Sequence, residues 1–113
     1  MCLRSGKQNM VYNVQFTEKC LTDIEEACRY VRKVLKEDEF SVRFRAKIMN
    51  RVKFLAISPE MYAIIPKIRN EKNVYRRIVI DNFVLLYTVD REKKTVYIAH
   101  LYYGGKDYIE SLF

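Results

Sequence analysis

The stretch YRRIVIDNFVLLYTVDREKKTVYIAHLYY, residues 75–103, decides the fold. It holds three runs rich in β-branched and aromatic residues, separated only by Asp81-Asn82 and by residues 90–94. Strand side chains alternate between faces, and connections this short join antiparallel neighbours, so the runs predict a meander. Asp and Asn accept the left-handed backbone of a tight turn, which makes 81–82 the first corner. A two-residue loop there pairs Ile80 with Phe83, Ile78 with Leu85 and Arg77 with Leu86. A five-residue loop 90–94 pairs Val89 with Thr95, Leu86 with Ile98 and Val84 with His100.

This register sorts the side chains. One face takes Ile78, Ile80, Phe83, Leu85, Tyr87, Tyr97, Ala99, Leu101 and Tyr103, with Arg76 near its edge. The other takes Tyr75, Arg77, Val79, Val84, Leu86, Thr88, Val96, Ile98, His100 and Tyr102. The first set is heavier and more aromatic, so it should face the helices. The second carries an arginine and the only histidine of the chain, which suits a face at least partly open. Arg77, His100 and Tyr102 converge there, and Lys106 and Tyr108 follow from the same strand end.

Upstream, VYNVQF (11–16) alternates as a half-buried strand does. In 17–37 the period changes: Leu21, Ile24, Cys28, Val31 and Leu35 form the stripe of an amphipathic helix, with Thr17 placed to cap it. A second helix covers 37–58, striped by Phe44, Ile48, Val52 and Leu55 and ended by Pro59. Arg43, Lys47 and Arg51 stand four apart beside that stripe and make a basic ridge. Residues 59–73 carry two prolines and no period, and read as a loop. The order β-α-α-β-β-β predicts an α+β domain over 10–113, a two-helix hairpin packed on one face of an antiparallel sheet, with 1–9 as a flexible tail.

At 113 residues the chain makes one domain with a core of its own. No apolar run reaches the length of a membrane span, and the first nine residues lack the apolar centre of a signal peptide, so a cytoplasmic protein with no membrane partner is expected. Three cysteines without a CxxC pair, beside one histidine, point to free thiols and to no metal site. Residues 1–40 carry seven Lys/Arg and seven Asp/Glu, whereas 41–113 carry fourteen and seven, so the net +7 belongs to the second part. A surface so polarised attracts polyanions, RNA among them, or an acidic protein.

The ordered set of segments resembles the RelE/ParE superfamily of type II toxin–antitoxin toxins over about residues 10–110. YNVQFTEKCLTDIEEACRYV looks like that family's first strand and helix. RFRAKIMNRVKFLAISPEMY is similar to its second helix, closing in Leu-x-x-x-Pro at Leu55 and Pro59. The meander resembles its arginine-bearing strand, Asn-aromatic turn and Y-x-V-D strand. The last strand runs into Gly104-Gly105-Lys106-Asp107, where the common form is Gly-Arg-Arg-Asp.

The resemblance implies a toxin neutralised by a cognate antitoxin. RelE-like members cut mRNA on the ribosome, and ParE-like members inhibit DNA gyrase by protein binding. A third possibility is a domain that has lost toxicity and serves as a regulatory partner. Metal-free RNA cleavage needs a base for the 2′-hydroxyl, an acid for the leaving oxygen and cations for the charged phosphorane. Arg77, His100, Tyr102 and Lys106 are the expected catalytic set, with no cofactor, and Glu60 is a lower-ranked base. Arg43, Lys47, Arg51, Arg76, Tyr103 and Tyr108 are the expected RNA contacts. Each has a plainer role open to it: strand tyrosines usually pack, and lysine ridges usually face water.

Overall fold

The computed structural model describes residues 11–36, 38–65 and 74–103. Its elements are β1 (Asn13–Phe16), α1 (Glu18–Val34), α2 (Phe40–Val52), β2 (Arg76–Ile80), β3 (Phe83–Asp90) and β4 (Thr95–Tyr103), with a 3-10 turn at Lys53–Ala56. This is the α+β order read from the sequence. The sheet runs β1-β4-β3-β2. The meander is antiparallel, and β1 joins β4 in parallel, so the whole sheet is mixed.

Both helices lie on one face. Cys20, Ile24 and Cys28 of α1 and Phe44, Ile48 and Val52 of α2 share one core with Ile78, Ile80, Phe83, Leu85, Tyr87, Val96, Ile98 and Leu101. Thr17 caps α1 by accepting a hydrogen bond from the Cys20 amide at 3.1 Å. Burial pushes the Cys20 thiol up to about 12, so it stays protonated at neutral pH.

The first hairpin has the expected register, with Ile80 opposite Phe83 and Arg77 opposite Leu86. Asp81 supplies the left-handed corner at φ 56°. The second hairpin departs from the expectation in two ways. Asp90 remains in the ladder opposite Thr95, and Val89 pairs with Val96. Its carboxylate takes the Lys93 amide at 3.0 Å and Lys94 closes the loop at φ 51°, which shortens the loop by one residue.

The other departure is a β-bulge. Tyr87 pairs with Ile98 but Leu86 with His100, leaving Ala99 as the extra residue. Val96 and Ile98 therefore join the helix-side core, contrary to the straight alternation, while His100 and Tyr102 keep the opposite face. The one-residue slip at the loop and the extra residue at the bulge add to two, so Leu86 meets His100 instead of Ile98 and Val84 meets Tyr102 instead of His100, while the face is kept because the strand period is two. Thr17 supports the bulge: its amide donates to the Ile98 carbonyl at 3.0 Å, and its hydroxyl reaches that of Ala99 at 3.1 Å.

Candidate functional site

The face away from the helices is built on a transverse row. Arg77 of β2 is opposite Leu86 of β3, which is opposite His100 of β4. Adjacent strands lie about 4.8 Å apart, so Arg77 and His100 flank Leu86 at about 10 Å, backbone to backbone. Tyr102 follows one step along the same face, opposite Val84.

Part of this face is covered. Residues 59–65 wrap round the β2 edge, where the Ile65 amide donates to the Tyr75 carbonyl at 2.9 Å. Ile65 then packs with Val84 and Leu86, joined by Tyr75 and Tyr102. Arg77 stays exposed. His100 is half-buried between two rings, Tyr75 at 6.0 Å and Tyr102 at 5.8 Å between centroids.

Burial holds the His100 imidazole below its ordinary range; the Lys19 ammonium pushes the same way and the Asp23 carboxylate opposes. Among the described residues, its Nδ1 is buried without a hydrogen-bond partner. Burial also raises the Tyr102 phenol, against the pull of Lys19. At neutral pH the pair is thus a neutral imidazole beside a protonated phenol, the states a base and an acid require.

A folded-state imidazole below its unfolded value stabilises the fold above about pH 6.5, and that contribution is lost as pH falls through the folded value. Urea unfolding midpoints should therefore fall more steeply between pH 7 and pH 5 for the wild type than for His100→Asn. Equal slopes would show that His100 titrates alike in both states.

The other expected residues are dispersed. Tyr103 lies on the helix side, 71% exposed, with its ring edge-on to Phe83 at 5.3 Å. There it borders a cavity of about 1060 Å³ between α1, the start of α2 and the 81–83 turn, also lined by Ala27, Phe40 and Leu101. Arg76 is a clamp, donating to the carbonyls of Glu60 and Tyr62 at 3.2 and 2.7 Å. Glu60 is ion-paired to Arg91 and is not brought to His100.

On the ridge, Lys47 pairs with Asp81 at 2.9 Å and Arg51 donates to the Val79 carbonyl at 3.0 Å. Arg43 is 3.9 Å from Glu39. Lys106 and Tyr108 lie outside the described residues. Two residues near His100 are absent from the expected site set, Tyr75 and Lys19. Tyr75 was legible as a face-mate by alternation, but Lys19 sits on a different element and gave no local signal.

A family model described as the ParE toxin of the type II toxin–antitoxin system parDE matches residues 14–108. No curated protein matches the chain. Among solved structures, the chain is similar to the chromosomal ParDE system of P. aeruginosa at 15% identity and TM-score 0.65, covering 84% of this chain and 98% of that one. It is also similar to the archaeal RelE-RelB complex of Pyrococcus horikoshii OT3, at 15% identity and TM-score 0.51, covering 86% and 99%. At these identities the structural likeness concerns the fold.

Proposed function

The chain belongs to the ParE toxin family of type II toxin–antitoxin systems, and from the side chains of its open sheet face, rather than from that membership, we propose that it inhibits translation by cutting ribosome-bound mRNA at the Arg77–His100–Tyr102 face. A cognate antitoxin would hold it in check. The observation that carries the reading is the row itself: one exposed cation, a neutral imidazole and a protonated phenol on a single rigid sheet face.

The chemistry follows from those states. His100 accepts the proton of the 2′-hydroxyl, whose oxygen attacks the adjacent phosphorus. Tyr102 gives its proton to the departing 5′-oxygen, so the P–O5′ bond breaks as the P–O2′ bond forms. The products are a 2′,3′-cyclic phosphate and a 5′-hydroxyl end. Arg77 stabilises the charge on the phosphorane between them.

Expression of the wild type, His100→Ala and Arg77→Ala, followed by mapping of mRNA 5′ ends on stalled ribosomes, tests this. Codon-positioned cuts by the wild type that vanish in both variants are expected. Intact mRNA together with gyrase-linked DNA breaks would sink it.

Two observations favour the second reading, a gyrase inhibitor acting by protein binding: the family model that matches the chain is described as that of the ParE toxin, and three expected phosphate contacts are already occupied. Lys47, Arg51 and Arg76, which a ribosome-bound nuclease would turn toward phosphates, are engaged within the fold. The exposed Lys47–Asp81 pair exchanges at little cost, so the open face weighs more. Under the second reading His100→Ala stays toxic.

A further inference from the structure

We propose that Lys19 is a phosphate-binding cation of this same face, held at its rim by Asp23; the inference rests on the RNA-cutting reading and adds a residue to its site. It starts from the shortness of β1. That strand accompanies β4 only from Thr95 to Ile98, so among the described residues the β4 edge beyond Ile98 has no strand beside it in the sheet. The first turns of α1 descend on that edge instead. Thr17 occupies the Ile98 and Ala99 carbonyls, and Asp23 Oδ2 accepts the Leu101 amide at 3.2 Å.

Leu101 lies between His100 and Tyr102. Its side chain enters the core while theirs point to the open face. Asp23 therefore grips the strand at the backbone amide of Leu101, the one residue between the two candidate catalytic side chains. The same carboxylate holds Lys19 Nζ, at 2.8 and 3.0 Å to its two oxygens. With that anchor the ammonium stands 6.0 Å from the centre of the Tyr102 ring.

Strand order then sets the charges. Arg77 approaches His100 from the β2 side, and Lys19 from the free β4 edge opposite. A phosphate seated over His100 is bracketed by two cations. The Lys19 side chain is 58% exposed whereas that of Asp23 is 14% exposed, so the anchor is fixed and the head faces solvent. An ammonium has three N–H groups, so a phosphate oxygen can be bound while the Asp23 bond is kept. Among the described residues, the charged and titratable groups around His100 are Lys19 and Asp23 from α1, Tyr102 from its own strand, Tyr75 from before β2 and, across Leu86, Arg77.

The test is a titration of the full chain with inorganic phosphate at pH 7, followed through the His100 ring protons by NMR. Wild type, Lys19→Met and Lys19→Arg are compared, with thermal unfolding as the check on folding. Phosphate is expected to shift the His100 signals in the wild type, to bind about two- to fivefold more weakly to Lys19→Met, and to bind Lys19→Arg as the wild type. A non-cleavable single-stranded oligonucleotide should lose about 0.7 from its log–log salt slope in Lys19→Met.

The proposal is overturned if phosphate leaves His100 unshifted in the wild type, or binds Lys19→Met and wild type alike. Its failure is distinct from that of the nuclease reading. A phosphate site that depends on Lys19 in a protein that cuts no mRNA keeps this inference and removes the nuclease. Cutting that needs His100 but ignores Lys19, with unchanged phosphate binding, does the reverse.

Discussion

Ile98→Asp is expected to prevent folding, whereas Tyr97→Gln leaves a folded protein. A strand alternating without interruption through 95–103 would place residue 98 on the same face as His100, where an aspartate meets solvent. The bulge at Ala99 puts Ile98 in the helix-side core instead, fully buried among α1, α2 and β3. The substitution loses the burial of an isoleucine, about 1.5–3 kcal/mol, and adds a buried carboxyl with no partner. Set against a total stability of about 5–15 kcal/mol, that combination is decisive. Tyr97 is half-buried and pairs with Thr88 on the other side of the strand. Circular dichroism and thermal unfolding of the two variants check the bulge directly. A folded Ile98→Asp would mean that residue 98 can join His100 and Tyr102 on the open face and that the bulge at Ala99 is not required.

Phe44→Ala should cost about 3–5 kcal/mol. Phe44 is 1% exposed and sits in a short aromatic stack, 4.9 Å from Phe40 and 4.7 Å from Phe83 between ring centres. Phe83 begins β3 directly after the Asp81 corner, so the stack joins α2 to the first hairpin. The Lys47–Asp81 pair spans the same junction from outside, but both partners are about half exposed and it adds little. Alanine in place of Phe44 opens a cavity with rings on two sides, which backbone relaxation fills only partly. Phe44→Leu should lose clearly less. Urea unfolding of the three proteins at pH 7 measures the difference, and a loss below about 1 kcal/mol for alanine would mean that the stack is not a structural joint.

Much of the open site was legible because the first hairpin obeyed simple counting. Asp81-Asn82 made a two-residue turn, and Arg77 fell opposite Leu86 as alternation required. His100 and Tyr102 reached the expected face, although two departures were needed to bring them there. Asp90 shortened the second loop by turning its carboxylate onto Lys93, and Ala99 restored the face by adding a residue to β4. Neither has a mark in the local sequence, since Ala99 is no glycine and Asp90 reads equally as loop or strand.

The ridge of Arg43, Lys47 and Arg51 was visible from its spacing. Its engagement was not, because Asp81 and the Val79 carbonyl come from 28 to 34 residues further along the chain. Lys19 was invisible for a similar reason: nothing in TEKCLTD relates it to residue 102.

The sequence by itself determined the element order, the stripe of α2, the first hairpin and the family, since all of these rest on periodicity and on turn chemistry between near neighbours. Of the expected α1 stripe, Ile24, Cys28 and Val31 are buried, whereas Leu21 and Leu35 are exposed and Cys20 takes the core position. Only the tertiary structure decided which half of β4 faces the core and what stands beside His100. Both are settled at the β4 edge, where Thr17 takes the carbonyls released by the bulge and Asp23 takes the Leu101 amide. Those backbone groups must be paired once β1 has ended, and the partners that pair them lie about eighty residues away along the chain.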